Sequence, residues 1–434
     1  MGKGMSHKHF KANAILLTLL ILGYLVKYTF YAFLARHFSP KSYGDINIVF
    51  KMVNLAVPIV MLGLNNSMLR ILPTMMANKE HGKISVFLSL VFRVVAIASL
   101  IAFALGGLFS LVVALTHHPS LIGMHYPGIL ACFLVPFLAL AVIFNSLLKC
   151  YKKYYFAVFS FNTLTFLISL VLVACAFYIF KSVNFYSAFL MILASYFLLV
   201  VIQLRFLYKP ITKEFAAARA GVSVDPQWIP LSLFFMLSTL VYSALISIDL
   251  ILLEILGSNA AETGFFSALI TIAWIMFLVS QASTVIFNPK ISEYHDAGQP
   301  DKLQKLLSTA FLFNMLLGII FGAAIICFGK FMLGRFGLAY VQHYPLLVAL
   351  TIGAFFINVL QTPSSMLIFT DYCKKAVGIN IASLILAIVL DVILIPKYGM
   401  HGAAFSLIFV AFMSNFVKVI MVKHFLKLKP FIII

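Results

Sequence analysis

Residues Arg36–Pro73 read RHFSPKSYGDINIVFKMVNLAVPIVMLGLNNSMLRILP, and the rest of the chain is placed most easily from them. Ser39-Pro40 and Tyr43-Gly44 predict a short loop, since proline fixes φ and glycine opens the left-handed region. A long apolar helix follows and carries Lys51. At helical spacing Lys51, Asn54, Pro58 and Asn65 fall at steps of 3, 4 and 7, so one face holds them all. That face is polar inside a segment otherwise fit for lipid, which predicts that it lines something wet. A weaker copy, EILGSNAAETGFFSALITIAWIMFLVSQASTVIFNPKIS, occupies Glu254–Ser292. Each copy has a loop, a glycine (Gly44, Gly264), an apolar helix and a proline (Pro73, Pro289). The glycine–proline spacings are 29 and 25 residues, so the repeat needs a gap.

With 63% hydrophobic and 10% charged residues, the 434-residue chain is no soluble globular protein. Apolar runs of about 18 residues or more recur throughout, each enough to cross a bilayer as a helix. Barrel strands would alternate, and these runs do not. The five cysteines (Cys132, Cys150, Cys175, Cys327, Cys373) form no pair at metal or redox spacing and read as small apolar packing residues. Lys3, Lys8 and Lys11 before an apolar run imitate a signal peptide. The run continues through Tyr24, Lys27 and Tyr31 without a small-x-small cleavage site, so an uncleaved first helix is expected.

The pattern predicts an all-α polytopic membrane protein with about twelve transmembrane helices: 13–35, 45–69, 84–115, 127–148, 155–180, 185–207, 229–253, 264–288, 306–329, 344–369, 376–396 and 401–422. A net charge of +19 invites a nucleic-acid reading, but the placement of the charges argues for topology. With the N-terminus cytoplasmic, 22 of the 31 Lys and Arg lie at cytoplasmic ends and loops, among them Arg70 and Lys418, and six on the other side. That asymmetry is the positive-inside rule; it places both termini in the cytoplasm and gives nucleic acid no part. The polar stretch Tyr208–Trp228 divides the chain into a six-helix lobe (1–207), a cytoplasmic linker (208–228) and a second six-helix lobe (229–434). Six is even, so the lobes form a parallel repeat, with a central cavity expected between them.

Lys27, Lys51 and Arg93 remain, all within first-half segments. Lys27 shares a face with Tyr24 and Tyr31, and Arg93 with Ser85, Ser89 and Ala96. A charge at the bilayer centre costs about 2.5–3.5 kcal/mol on insertion scales. Snorkelling competes as an explanation, most strongly for Lys51 near its helix start. No acid lies inside a first-half segment, since Asp45 is at a loop edge. These cations therefore predict a hydrated cavity that receives an anion. In the second half Asp249 shares a helix-seven face with Ser238 and Tyr242. It reads as a proton or Na⁺ coupling site, with a structural ion pair as the competing account. Asp391, close to the helix end before Pro396, reads as a structural or interfacial acid. Gln281 and Asn288 in helix eight, and Asn358, Gln361 and Ser365 in helix ten, give further polar faces. Their amides suit sugar hydroxyls, or else interhelical bonds.

No stretch supports conventional catalysis. The chain has no P-loop, no Gly-rich dinucleotide turn, no His pair on a helix face and no GxSxG. His117-His118 reads as a solvated loop pair, and carboxylates are too sparse for paired acid–base work. No enzyme, no resident cofactor and no metal site are expected.

Several segments resemble the polysaccharide and O-antigen flippases of the multidrug/oligosaccharidyl-lipid/polysaccharide (MOP) exporter superfamily. They are LARHFSPKSYGDINI (Leu34–Ile48) with MLGLNNSMLRILP (Met61–Pro73), then SIDLILLEILGSNAAETGFFSA (Ser247–Ala268). GINIASL (Gly378–Leu384) and LIPKYGMHGAAFSLI (Leu394–Ile408) complete the set, the last being the most specific. Where that family often has Asn before its LIPKYG, this chain has Asp391, so no coupling role carries over to it. The resemblance implies a MATE/MOP-like fold in a bacterial inner membrane. It further implies alternating-access transport of undecaprenyl-diphosphate-linked glycan among membrane lipids, with a glycan polymerase and a chain-length regulator as partners. Arg93 would contact the diphosphate bidentately, with Lys27 and Lys51 adding field and Arg70 receiving substrate at entry. Asn54, Asn65, Gln281, Asn358 and Gln361 would meet the glycan, and Asp249 would couple to H⁺ or Na⁺. A multidrug or cation exporter of the same superfamily competes, as does a membrane glycan polymerase or ligase. The first would want cavity acids and the second a large outer loop.

Overall fold

The computed structural model describes residues 2–116, 126–180, 183–216, 225–368, 370 and 372–428. His117-His118, Lys181, Arg219, Lys429 and the 217–224 part of the expected linker lie outside them. Among the described residues there are helices and no strands. In chain order they are α1 (Gly2–His37), α2 (Pro40–Val60), α3 (Leu64–Ala77), α4 (His81–Thr116), α5 (Tyr126–Cys150), α6 (Tyr154–Phe159), α7 (Thr165–Phe180) and α8 (Phe185–Ala216). Then follow α9 (Trp228–Leu245), α10 (Ile248–Leu256), α11 (Ala260–Ala273), α12 (Phe277–Asp296), α13 (Pro300–Phe336) and α14 (Leu338–Val341). The last are α15 (Tyr344–Val359), α16 (Gln361–Ile368), α17 (Cys373–Tyr398) and α18 (Met400–Phe425). Among the described residues eleven spans are long and apolar enough to cross a membrane, and α15 with α16, bent by 42°, makes a twelfth if the pair is one span.

Contacts gather the chain into two compact units. One comprises Leu22–Phe30 and Asp45–Ser247, here the N-unit; the other comprises Met1–Ile21, Tyr31–Gly44 and Ile248–Ile434, here the C-unit. The boundary between these compact units falls at Ser247 and Ile248, inside the seventh apolar segment. In the N-unit α5 is central, packing on α3, α4 and α8. In the C-unit α18 packs on α15, α16 and α17, and α13 packs on α12 and α15.

Five expected helices are interrupted, helix eight by a 3₁₀ turn at Trp274–Met276 between α11 and α12. Helix two stops at Val60 and restarts at Leu64 through Gly63, at φ +69°. A Cβ on Gly63 would lie 2.2 Å from the Ser232 carbonyl oxygen and 2.4 Å from the Met236 nitrogen of α9. Glycine thus allows both the left-handed turn and the close approach of α9. Helix five opens into a π turn at Ser160–Leu164, where the Thr165 hydroxyl donates to the Ser160 carbonyl (3.1 Å) and Gln203 Nε2 donates to Ser160 Oγ (3.2 Å). Helix seven breaks between Leu245 and Ile248, and helix ten at Leu360.

The expected loop at Ser39–Gly44 is only two residues long. Pro40 begins α2, where its missing N–H costs nothing, and the Ser39 hydroxyl accepts from the Ser42 nitrogen (3.2 Å). Gly44 consequently lies in a helix, yet it still needs its missing side chain. The two glycines of the sequence repeat meet inside the C-unit: a Cβ on Gly44 would sit 2.9 Å from the Gly264 nitrogen, and one on Gly264 only 1.9 Å from the Pro40 carbonyl oxygen.

Candidate functional site: charged groups at membrane depth

In the N-unit the cations have different surroundings. Lys27, partly buried in α1, holds its ammonium 5.6 Å from the centroid of the Phe166 ring, which itself packs on Phe30. A cation over an aromatic face keeps its charge at modest cost. Lys51 Nζ donates to the Ile246 carbonyl at 2.5 Å. Ile246 follows the last turn of α9, where carbonyls lose their helical partners, so Lys51 caps the broken end of helix seven. Arg93 differs from expectation. It is exposed, on one α4 stripe with Ile97 (61% exposed) and Leu100 (70%), so its charge is not buried within the unit.

Of the face shared by Lys51, Asn54, Pro58 and Asn65, the first three stay together on α2 and the Gly63 break removes Asn65. Asn54 is exposed, Pro58 is buried, and Asn65 is carried round with α3. Asn65 Nδ2 reaches Asn66 Oδ1 at 3.4 Å, Asn66 Nδ2 donates to the Thr239 hydroxyl at 3.0 Å, and the Ser67 and Ser232 hydroxyls pair at 2.7 Å. This polar seam joins α3 to α9. Arg70 is exposed on α3. Glu80 and Asp225 stand near helix ends, Asp45 lies in the second turn of α2 and not at a loop edge, and the buried Glu214 pairs with His81 at 2.7 Å.

In the C-unit, Asp249 occupies the first turn of α10, where the helix dipole favours a carboxylate. The break before it separates it from the α9 face of Ser238 and Tyr242. Asp391 is not interfacial: α17 continues through Pro396 to Tyr398, leaving Asp391 about two turns inside and 0% exposed. Its carboxylate faces Asp249, 3% exposed, and the buried Ser406 hydroxyl of α18. The Asp391 oxygens and Ser406 Oγ lie close enough to interact, yet they close no hydrogen bond of ordinary geometry among the described residues. Only half of this pair was read from sequence as an inward-facing acid. Its spacing, 142 residues, gives no local signal.

Of the amides, Asn358 is buried and committed: it accepts from the Ser280 hydroxyl, and its Nδ2 donates to the Ala354 carbonyl at 2.8 Å. Gln281 and Gln361 are partly buried. Near the α17–α18 junction, the Met400 nitrogen donates to the Glu262 carboxylate at 2.8 Å, which caps α18. That contact explains part of the LIPKYGMHG segment as architecture. Nearby, burial lowers the pKa of His343 below the usual 6.5; His401 adds to the shift and Glu262 opposes it. Among the described residues no three His, Cys, Asp or Glu side chains converge as a metal site.

Solved structures with this fold are transporters. An inward-facing multidrug-resistance MATE family transporter of the MOP superfamily superposes with TM-score 0.71 at 13% identity, covering 96% of this chain and 98% of its own. An outward-facing one gives 0.68 at 13% identity, with 96% of each chain covered. A MOP superfamily transporter from Pyrococcus furiosus, whose binding pocket of reverse polarity suggests a different function, gives 0.65 at 14% identity, again with 96% of each covered. No family model matches the sequence, and no curated protein sequence matches it.

Proposed function

We propose that this chain, with the MATE/MOP transporter fold, is a flippase. Its substrate would be an undecaprenyl-diphosphate-linked oligosaccharide, moved across a bacterial inner membrane by alternating access. One observation carries this reading, the sign of the charges at membrane depth in the N-unit. Lys27, Lys51 and Arg93 are basic, while Glu80, Glu214 and Asp225 keep to helix ends and Asp45 lies in the second turn of α2. A surplus of basic side chains in such a setting favours an anionic ligand. Lys27 is the preferred diphosphate contact, since its ammonium stands over the Phe166 ring inside an apolar segment. Arg93 on its exposed stripe would meet the diphosphate only from outside the unit, as at substrate entry with Arg70. Asp249 with Asp391 would bind the coupling proton or Na⁺.

A second reading has its own observation. The same acid pair would suit an organic cation, as in a multidrug exporter, and multidrug MATE transporters share the fold. Proteoliposomes separate the two. The flippase reading expects translocation of a fluorescent polyprenyl-diphosphate glycan that falls about tenfold or more in Lys27→Gln, the loss of one charge-assisted contact. Translocation of a cationic dye, with no movement of the lipid-linked glycan, would favour the exporter instead.

A further inference from the structure

Lys418 carries no role in the flippase reading, and the sequence pattern places it among cytoplasmic lysines. The structure buries it: Lys418 is 7% exposed, on the inner face of α18. An apolar core lies beneath it, built from Phe287 and Ile291 of α12, Leu307 and Ala310 of α13, Met366 and Leu367 of α16, Ile379 of α17 and Val422 of α18. One helical turn along from that core, each of the five helices turns polar. The positions are Ser283, four residues from Phe287, and Asn314, four from Ala310; then Thr362, Ser383 and Lys418, four from Met366, Ile379 and Val422. All five are buried. Residues four apart on a helix share a face, so a core shared by five helices puts these five side chains in one layer above it.

Two observations point to a ligand for that layer. Lys418 forms no hydrogen bond or ion pair among the described residues, although the residue is 7% exposed and a cation so largely enclosed gains from a partner. Asn314, 0% exposed, donates from Nδ2 to the Thr362 hydroxyl at 3.0 Å, and its Oδ1 is buried without a partner. Half a turn about the last side-chain torsion of Asn314 would present its NH₂ to an incoming acceptor, while the Thr362 hydroxyl donates back to the amide oxygen. Hydroxyls, one amide and one cation make a donor set, and donors with a net positive charge recognise an oxyanion.

We propose that this buried layer is an oxyanion site of the C-unit, with Lys418 supplying the charge and Thr362, Asn314 and Ser283 the neutral donors. It deepens the flippase reading and rests on it for its physiological ligand, which is either a phosphate of the lipid carrier or a carboxylate of an acidic sugar in the glycan. The site itself stands on the C-unit alone.

The test is calorimetric titration of the purified full-length protein in nanodiscs with pyrophosphate and, separately, with glucuronate. Wild type is compared with Lys418→Gln, Lys418→Arg and Lys330→Gln, the last altering an exposed lysine of the same unit. The expected result is saturable binding of one probe, weakened about tenfold or more in Lys418→Gln. Lys418→Arg and Lys330→Gln should keep it. Pyrophosphate binding assigns the phosphate source, and glucuronate binding the acidic sugar. Binding of neither probe, or equal binding in Lys418→Gln, overturns the site. If Lys418→Gln does not purify, Thr362→Val serves on the same criterion, with about threefold weakening expected. Binding through Lys418, in a protein that fails to move lipid-linked glycan, would sink the flippase reading and leave the site standing.

Discussion

Two carboxylates buried side by side need a shared proton or a bound cation, and Asp249 with Asp391 form such a pair beside Ser406. If the pair links transport to an ion gradient, Asp249→Asn and Asp391→Asn should each abolish gradient-driven transport in proteoliposomes while leaving substrate binding within about twofold. Gradient dependence retained in both variants would make the pair structural. At this scale the sequence was informative about type and poor about partners. Lys51 reads as a charge inside an apolar helix, but the carbonyl it caps is 195 residues away and exists only because helix seven breaks. Asp391 reads as an end residue because Pro396 looks like a stop, whereas α17 runs past it. Lys418 reads as cytoplasmic because Lys423 and Lys427 follow it, and periodicity alone cannot tell a snorkelling lysine from a buried one. Arg93 reads as buried because the face it shares with Ser85 and Ser89 looks inward, but Ile97 and Leu100 on its own stripe look outward.

At the scale of elements, the helices were legible from their apolar runs and the breaks within them were not. Gly63 breaks helix two because α9 presses on its backbone, a tertiary cause that no local window contains. The repeat did leave a usable trace, since Gly44 and Gly264, noted for equivalent positions, turn out to touch. Gly264→Ala would drive a Cβ into the Pro40 carbonyl, and should destabilise the purified protein by about 1–3 kcal/mol or more in thermal unfolding. An unchanged midpoint would mean that the contact does not form. The α14–α15 junction should respond to pH through His343. Its folded pKa is depressed below 6.5, chiefly by burial, so the unfolded state binds the proton more readily. The stabilisation is complete above about pH 6.5 and is lost as pH falls through the lower folded value. Protection factors at Leu338–Val341, corrected for intrinsic exchange, should therefore fall on acidification in wild type and lose that dependence in His343→Asn. The same acid response in both would exclude His343 as its origin.

At the scale of the whole molecule, composition and charge placement were enough for a twelve-helix membrane protein, and the transporter structures share that fold across 96% of the chain. The grouping of Tyr31–Gly44 with Ile248–Ile434 has no local trace in the sequence, since it rests on contacts far apart along the chain. Substrate is a finer matter than fold. The N-unit cations favour an anionic, lipid-linked cargo, and the acid pair of the C-unit is compatible with cation export. The measurement that separates them most directly is mass analysis of surface glycan and lipid-linked intermediates in a host lacking this gene. A flippase predicts loss of surface polysaccharide, with complete repeat units trapped on their carrier in the inner leaflet. Normal surface glycan and no trapped intermediate, alongside altered drug sensitivity, would contradict it.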